Sequence, residues 1–380
     1  MKVSRTMWTD KTGWRNQVTC NGSAAQANLV LVFGSPALMK QPARFAELKK
    51  LYPLAYICGC STAGEIAGDQ VMDDTMTATS VTFEGSTIHA AKAIVDNSGQ
   101  SFEVGAKLAA ALPAEDLVHI FVLSDGLAVN GSDLVRGLTS KAPAGVAITG
   151  GLSADGASFA ETYVCADGVA LTKQIVAIGF YGKKLKVGYG SMGGWDSFGL
   201  ERRITRSEGN VLYELDGRSA LELYKEYLGP DAAQLPASGL LFPLTVRANG
   251  STESVVRTIL AVDEAAQSMT FAGDIPQGGT AQLMSANFDR LVDGADGAAQ
   301  ECRRQIGDSN TELAVLISCV GRKLVLQQRI DEEVEAVVGV LGNRAVTTGF
   351  YSYGEISPFT PTARCALHNQ TMTITTFVEA

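Results

Sequence analysis

Apolar and polar residues follow one order of elements twice, once near each end of the chain. Each copy begins with a continuous apolar run, continues with an amphipathic stretch and a second apolar run, and closes with an alternating, threonine-rich strand pattern. In the first copy these segments are residues 29–33, 45–51, 54–57 and 75–83; in the second they are residues 313–317, 330–341, 345–346 and 371–377. Strand-sized apolar runs that alternate with helical periodicity predict strand–helix–strand units of an α/β protein.

A glycine-rich motif stands at the corresponding turn of both copies. The two motifs are Gly59-Cys60-Ser61-Thr62-Ala63-Gly64-Glu65-Ile66 and Gly349-Phe350-Tyr351-Ser352-Tyr353-Gly354-Glu355-Ile356. Two glycines, the glutamate and the isoleucine coincide. Turns that follow strand ends are the places where α/β folds hold ligands, so this repeated turn is the first candidate for a binding site.

A weaker third copy lies between these two. The apolar run of residues 117–123 ends at Ser124-Asp125-Gly126, and a helix is predicted next over residues 132–140 with Ser132 as its N-cap. Ala154-Asp155-Gly156 then stands near the position that Ala63-Gly64-Glu65 occupies in the first copy. The predicted fold class is therefore α/β, with two domains built from duplicated strand–helix–strand units and mixed sheets. The two outer copies should share one strand order, with their glutamates at equivalent positions.

Chain length and glycine placement predict where the domains divide. At 380 residues the chain exceeds one ordinary core, and the glycines between residues 188 and 199 are typical of a domain junction or a long functional loop. We therefore predict an N-terminal segment over residues 1–26, a first α/β domain over residues 27–195 and a second over residues 196–380. Within the second domain, helices are predicted at residues 219–227, with Ser219 as N-cap, and at residues 288–304.

Composition narrows the class of protein. The formal net charge of −9 and the scattered lysines and arginines argue against a nucleic-acid partner. No apolar run approaches the length of a membrane span, and the first 20 residues contain no apolar signal-peptide segment. Seven cysteines spread along the chain fit reduced thiols better than a disulfide framework. These features predict a soluble, cytoplasmic α/β protein without a membrane partner.

The two motifs, followed near the C-terminus by Leu367-His368-Asn369-Gln370-Thr371, resemble the FIST proteins, which have a FIST N domain and a FIST C domain in tandem. The resemblance covers residues 27–377. It implies a sensory function, since members are regarded as binding small ligands and passing the signal to a partner. By its length, the chain resembles standalone bacterial members of the family, which include haem-containing nitric-oxide sensors that act on a separate histidine kinase. No output domain is visible in this sequence, so the resemblance implies a separate partner.

Glu65 and Glu355 have two interpretations. A carboxylate beside flexible glycine backbone can accept hydrogen bonds from a ligand cation, or it can bond the amides of its own turn and hold the fold. Tyr351 and Tyr353 belong to an aromatic cluster around the second motif, which forms either the wall of an apolar pocket or part of the core. We predict a ligand site here, bordered by the two tyrosines, Glu355 and His368, with Glu65 at the matching turn.

His368 has the most polar surroundings of the three histidines. Its imidazole is a candidate axial ligand of haem iron, a cofactor that the resemblance leaves open. The alternative is a ring whose nitrogens lock the adjacent turns together. Asn369 beside it is a further candidate ligand contact. Cys365 and His368 have a metal-like spacing, but no second pair exists, which argues against a zinc site.

The rival hypothesis is an enzyme that acts on a small metabolite through Cys60 or Asp125. A thiol nucleophile needs a nearby base, normally a histidine, and none is predicted to partner Cys60 or its neighbours Cys58 and Ser61. Asp125 follows a strand and precedes a glycine, which suits either a ligand contact or ordinary turn chemistry. The sequence therefore predicts no catalytic residue. It favours a non-catalytic sensor of a small molecule that signals to a separate protein such as a histidine kinase.

Overall fold

A computed structural model describes residues 1–18, 24–359 and 364–380. It confirms the predicted α/β class, with helices packed on mixed sheets. Three units follow one another along the chain, and each repeats one order of strands. Short 3₁₀ segments connect some elements: Ala24–Gln26, Ser98–Gln100, Gly229–Gln234, Ala237–Leu241 and Gln327–Arg329.

Unit 1 is the N-terminal copy of the predicted repeat. Its elements are β1 (Lys2–Thr9), β2 (Gly13–Val18), β3 (Leu29–Gly34), α1 (Pro36–Met39), α2 (Pro42–Leu51), β4 (Tyr56–Ser61), β5 (Glu65–Ala67), β6 (Gln70–Met72) and β7 (Met76–Thr82). β3 and β4 run parallel, and β7 lies antiparallel between β3 and β1. The central order is therefore β4-β3-β7-β1, with α2 as the crossover between the parallel strands.

Unit 2 is the weaker copy. Its elements are β8 (Thr87–Ile94), α3 (Ser101–Ala110), β9 (Leu117–Ser124), α4 (Gly131–Lys141), β10 (Ala147–Leu152), β11 (Val164–Ala166), β12 (Val169–Leu171) and β13 (Gln174–Tyr181). β9 and β10 run parallel, and β13 lies antiparallel between β9 and β8. The order β10-β9-β13-β8 repeats that of unit 1.

Unit 3 opens with β14 (Leu185–Met192) and is then interrupted by an inserted sheet, which we call the insert. The insert comprises β15 (Trp195–Glu208), β16 (Val211–Leu215), β17 (Arg218–Ser219), α5 (Ala220–Leu228), β18 (Leu244–Arg247), β19 (Ser254–Arg257), β20 (Ile259–Asp263), β21 (Ser268–Phe271) and β22 (Thr280–Ala286). Its strands are antiparallel in the order β19-β18-β22-β15-β16-β21-β20, and it has its own apolar core. The predicted division between residues 195 and 196 stays a prediction.

The rest of unit 3 completes the repeat. Its elements are α6 (Phe288–Ile306), β23 (Leu313–Cys319), α7 (Val320–Leu326), α8 (Ile330–Leu341), β24 (Val346–Ser352), β25 (Gly354–Pro358), β26 (Cys365–His368) and β27 (Met372–Glu379). β23 and β24 run parallel, and β27 lies antiparallel between β23 and β14. The shared strand order predicted for residues 29–83 and 313–377 is thus confirmed.

The hairpin after each glycine-rich turn leaves its own unit and joins the sheet of another. β5 of unit 1 pairs with β24 of unit 3, β11 of unit 2 pairs with β4 of unit 1, and β25 of unit 3 pairs with β10 of unit 2. The turns also bond through the main chain. The Ala63 amide donates to the Tyr351 carbonyl at 2.9 Å, and the equivalent amides of Ala154 and Tyr353 donate to the preceding unit at 3.0 and 3.3 Å. The three units therefore close a cycle.

The first glycine of each motif is required by the neighbouring parallel strand. A Cβ atom on Gly59 would lie 1.7 Å from the carbonyl oxygen of Val32. A Cβ on Gly349 would lie 1.9 Å from the carbonyl oxygen of Leu316, and Gly150 in unit 2 has the same clearance to its neighbour. No larger residue fits without separating the strands, so this repeated glycine is explained by packing alone.

Aromatic side chains of all three units belong to one buried apolar cluster. The rings of Phe33 and Phe350 lie 4.8 Å apart between their centroids, and those of Phe180 and Phe377 lie 4.9 Å apart. All four side chains are buried. This cluster therefore packs the three units against one another.

Residues 188–199 do not form a long loop, one of the two alternatives predicted for them, because they lie mainly in β14 and β15. Gly188 faces helix α6, and a Cβ there would lie 2.5 Å from the Cys302 carbonyl oxygen. In the helix, a Cβ on Gly294 would lie 1.9 Å from the Gly193 carbonyl oxygen. These glycines let the helix and the strand approach closely. In the sequence, glycines required for close packing cannot be distinguished from the glycines of a flexible loop.

Helix boundaries follow their capping residues. Ser219 caps α5 as predicted, its hydroxyl accepting the Glu222 amide at 3.2 Å. The cap of α4 differs from the prediction: Asn130, not Ser132, accepts the amides of Ser132 and Asp133 at 3.0 and 3.2 Å. Asparagine is as good a cap as serine, and the cap lies two residues earlier than the polar pattern indicated.

Candidate functional site

The two motif glutamates act as internal clasps with one geometry. Glu65 accepts the Thr62 hydroxyl at 2.5 Å, and the amide and hydroxyl of Thr75 at 3.1 and 2.7 Å. Glu355 accepts the hydroxyl three residues before it at 2.5 Å, and the amide and hydroxyl of Thr371 at 3.2 and 3.0 Å. Each glutamate ties its turn to the last strand of its unit, and the two stand at equivalent positions as predicted.

Both carboxyl groups lie inside the protein. Glu355 is 0% exposed, and burial raises its pKa to about 8 despite the hydrogen bonds that lower it. Burial likewise raises the pKa of Glu65 to about 7. Both carboxyl oxygens of each glutamate accept hydrogen bonds from residues of its own unit. This geometry favours the interpretation that both glutamates hold the fold and do not bind a ligand.

The two tyrosines of the second motif are packed in the core. The Tyr351 hydroxyl donates to Glu333 at 2.6 Å, and Glu333 is paired with the buried Arg322 at 2.7 Å. The Tyr353 ring stacks on Phe159 with 4.7 Å between the centroids. The side chains predicted to border a pocket are therefore buried and occupied by internal partners. The ligand site predicted at the second motif stays a prediction.

His368, the predicted haem ligand, lies inside the protein. It is 2% exposed, and its Nε2 lies 2.9 Å from the Ser357 carbonyl oxygen. A carbonyl only accepts, so Nε2 carries the proton of the neutral ring and the lone pair lies on Nδ1. Burial lowers the pKa of His368 to about 4, which keeps the ring neutral at pH 7. The ring of Phe359 covers it edge-on, 4.9 Å away between centroids.

Asn369 and Gln370 join the core to the insert. The Asn369 side chain donates to the Tyr353 carbonyl at 3.2 Å and accepts the Thr258 amide at 3.4 Å. The Gln370 side chain donates to the carbonyl of Leu240 at 2.9 Å and to the Thr258 hydroxyl at 3.1 Å. Asn369, a predicted ligand contact, and its neighbour Gln370 thus connect unit 3 to the insert.

Asp125 is a turn residue whose carboxylate is fully used. One oxygen accepts the amides of Leu127 and Ala128 at 2.9 and 2.7 Å. The other accepts the Thr162 hydroxyl at 3.0 Å and the Lys173 amide at 2.9 Å. Four donors leave the carboxylate little capacity for a ligand, so turn chemistry explains this aspartate.

The candidate nucleophiles are buried. Burial raises the pKa of the Cys58 and Cys60 thiols well above the usual range. The Ser61 hydroxyl donates to the Ala154 carbonyl at 2.8 Å and accepts the Tyr163 amide at 2.9 Å. Within the described ranges no histidine bonds to any of these three side chains. This geometry holds no nucleophile–base pair of the kind that covalent catalysis needs.

Two open clefts border the edge strand β26, of about 300 and 310 Å³. The larger one lies where α4, the insert and β26 meet, and we call it the junction cleft. Its walls include Ser132, Val135 and Arg136 of α4, Val255 and Arg257 of β19, and Ala366 of β26. The apolar members and a few convergent polar groups give it the character of a small-ligand site.

Arg257 is the buried charge in the wall of the junction cleft. Arg257 is 5% exposed, and burial lowers the pKa of its guanidinium to about 10. The side chain therefore remains a cation at pH 7. It donates to the carbonyls of Asp274 and Leu367 at 3.1 and 3.0 Å. These bonds fix the guanidinium between the insert and β26.

Exposed charges at the mouth of the cleft are paired with each other. Arg136 bridges Asp274 at 3.1 Å and also pairs with Asp133. The Asn130 side chain donates to the Asp274 carboxylate at 2.9 Å while its oxygen caps α4. The start of α4 is thereby attached to the insert.

Sequence reasoning missed the junction cleft. Its walls come from segments more than a hundred residues apart, and no motif marks them. One signal was present: Arg257 interrupts an apolar strand pattern, Val255-Val256-Arg257-Thr258-Ile259. An arginine at an interior strand position needs buried partners, which is a reason to look for a site around it.

The described residues contain neither a cluster that could bind a metal ion nor a helix that could span a membrane. Over residues 1–18, 24–359 and 364–380, no group of three or more histidine, cysteine, aspartate or glutamate residues could hold a metal ion. Among the same residues no helix combines the length and apolar character of a membrane span.

Comparisons with known proteins identify a family. The FIST N domain model matches residues 28–218, and the FIST C domain model matches residues 220–358. An uncharacterized protein of Methanocaldococcus jannaschii is 28% identical over 197 residues, which are 48% of this chain and 37% of that protein. The chain thus spans little more than a third of that relative.

One solved structure covers almost the whole chain. The crystal structure of cyanuric acid hydrolase from A. caulinodans aligns with 94% of this chain and 91% of its own. The sequence identity is 6% and the TM-score is 0.39. A likeness this low carries no argument about function.

Proposed function

This chain belongs to the FIST family, whose domains are sensory and bind small ligands, and on that premise we propose that it is a non-catalytic sensor whose ligand binds in the junction cleft. The signal passes to a separate protein, such as a histidine kinase. One observation carries the proposal: helix α4, the insert and strand β26, which are distant in sequence, meet around one cleft with a buried cation in its wall.

A ligand in this cleft would act on the connection between the insert and the units. Arg257 and Thr258 of the insert bond to Leu367 and Asn369 of unit 3, and Asn130 of unit 2 holds Asp274 of the insert. A ligand that touches all three parts stabilises one arrangement of them over others. That change of population is what a partner protein could detect.

Two features argue against the rival enzyme hypothesis. Cys60 is fully buried with a thiol pKa well above its ordinary value, so it offers no thiolate at pH 7. Asp125 is buried, and its carboxylate accepts four internal donors. Haem and nitric oxide are not part of the proposal, because His368 is buried and its Nε2 donates to the Ser357 carbonyl.

A cytoplasmic location is part of the proposal. The cysteines of the described residues, including Cys58 and Cys165 on paired strands, are free thiols. Free thiols in neighbouring strands fit a reducing compartment.

The proposal is tested by filling the cleft. Ala366→Trp places a large side chain in it, and Ala266→Trp on an exposed turn of the insert is the matched control. Thermal unfolding is measured with small carboxylates, phosphates, amines and neutral amides. A ligand at 100 times its Kd should stabilise the wild type and the control by about 2.7 kcal/mol, and should not stabilise Ala366→Trp. The proposal is contradicted if a compound stabilises all three proteins equally, or if no class of compound stabilises any of them.

A further inference from the structure

The guanidinium of Arg257 has hydrogen-bonding capacity left over, and it faces the junction cleft. Nε donates to the Asp274 carbonyl at 3.1 Å, and Nη1 donates to the carbonyls of Val256 and Leu367 at 3.1 and 3.0 Å. Nη2 has a single long contact, 3.5 Å to the Ser132 hydroxyl oxygen. Of five N–H donors, three are engaged at good distance, and the two on Nη2 are not.

The positive charge of Arg257 has no ion-pair partner among the described residues. The nearest carboxylate, that of Asp274, is occupied by Asn130 and Arg136. Glu253 also lines the cleft, but it is exposed to solvent at the rim, where water screens its charge. The close hydrogen-bond acceptors of this almost completely buried cation are carbonyl oxygens, and the Asp274 charge favours it without forming an ion pair with it. Buried charges are normally paired.

Ser132 supplies a second donor beside the first. Its oxygen accepts the Asp274 amide at 3.2 Å and the long contact from Arg257, while its own hydroxyl proton has no acceptor in the described part of the chain. Ser132 lies in the first turn of α4, an 11-residue helix whose positive end favours a negative charge. Nη2 and this hydroxyl, 3.5 Å apart, can both donate to one acceptor.

We propose that the ligand of the junction cleft carries an oxyanion group, which accepts hydrogen bonds from Nη2 of Arg257 and from the hydroxyl of Ser132. This inference rests on the proposed function of the cleft. It names the chemical class of the ligand: a small molecule with a carboxylate or phosphate group, whose remaining part contacts the apolar wall at Val135, Val255 and Ala366.

Gly273 makes the position of the guanidinium sensitive to a single methyl group. A Cβ on Gly273 would lie 3.0 Å from both Cζ and Nε of Arg257 and 2.8 Å from the Ser132 hydroxyl oxygen. Gly273→Ala therefore displaces both donors while keeping the charge. It complements Ser132→Ala, which removes one donor and leaves Arg257 in place.

The test compares charged and neutral probes of one shape by titration calorimetry. Butyrate is measured against butyramide, and inorganic phosphate separately, on the wild type, Ser132→Ala, Gly273→Ala and Arg218→Gln. Arg218→Gln is the matched control, since it removes an exposed, ion-paired arginine of the insert that does not line the cleft. We expect butyrate or phosphate to bind and butyramide to bind at least tenfold more weakly. Loss of a hydrogen bond to a charged group should weaken anion binding about tenfold or more in Ser132→Ala and Gly273→Ala. Arg218→Gln should stay within about threefold of the wild type.

The outcomes separate this inference from the proposed function. If butyramide binds as tightly as butyrate, and Ala366→Trp abolishes both, the cleft is a ligand site and the oxyanion inference is wrong. If the anions bind equally to the wild type, Ser132→Ala and Gly273→Ala, Arg257 is only a structural strut. If no probe binds, or Ala366→Trp leaves binding intact, the proposed function of the cleft fails as well. Retention of the wild-type circular dichroism spectrum shows that each variant is folded.

Discussion

Glu355→Gln replaces a buried carboxyl group by an amide of nearly the same shape. Burial raises the pKa of Glu355 to about 8, from an ordinary value of 4.5. Between these two values the native protein keeps a proton that the unfolded chain releases, so the free energy of unfolding falls as the pH rises. The amide has no proton to release. The variant should therefore lack this part of the pH dependence.

The size of the pH effect on stability follows from the shift in the pKa of Glu355. From pH 5.5 to pH 7.5 the stability of the wild type should fall, relative to the variant, by about 2.5 kcal/mol, because each pH unit inside the window contributes up to about 1.4 kcal/mol. His368 acts with the opposite sign: burial lowers its pKa to about 4, so stability rises with pH from that value to the ordinary 6.5. His368 and Glu65 are present in both proteins, and their contributions cancel in the difference.

Urea unfolding at a series of pH values measures this difference. Glu115→Gln removes an exposed carboxyl group before β9 and serves as the control, whose stability should run parallel to that of the wild type. A difference between the wild type and Glu355→Gln that stays constant over the window would show that the native carboxyl is ionised. The argument from burial would then be wrong.

Two further predictions concern packing and thiols. Gly349→Ala should cost about 3 kcal/mol or more in chemical denaturation, because the new methyl group meets the strand beside it. Gly339→Ala in α8 should gain about 0.5–1 kcal/mol, since nothing lies near it, and a similar loss in both variants would contradict the packing argument. Cys58 and Cys60 should react with a thiol reagent only after unfolding; labelling of the native protein at both, detected by mass spectrometry, would reopen the enzyme hypothesis.

The repeat and its consequences could be predicted from the sequence. Apolar runs of strand length, helical periodicity and a recurring glycine turn are local signals, and local signals determine which elements form. They gave the α/β class, the matching order of units 1 and 3, and the equivalence of Glu65 and Glu355. The glycine at the start of each motif also recurs in the sequence. Only glycine fits at this position, because a Cβ atom would collide with a carbonyl oxygen of the neighbouring strand.

The sequence could not separate a polar residue that binds a ligand from one that binds the protein itself. Glu355, His368 and Asp125 sit beside flexible turns, which is equally typical of ligand sites and of internal clasps. The difference depends on which donors face each side chain, and those donors come from other strands and other units. Only the folded chain decides this, and it gives all three residues internal partners.

The location of the cleft is a purely tertiary property. Ser132, Arg257 and Ala366 come from three separate segments, and they border one cleft because the insert folds back on unit 2 and on the edge strand of unit 3. No sequence pattern encodes that approach, since the local signals around each residue are satisfied by a helix or a strand alone. The sequence determined the elements and their repetition, and long-range packing determined where a buried charge and an apolar wall meet.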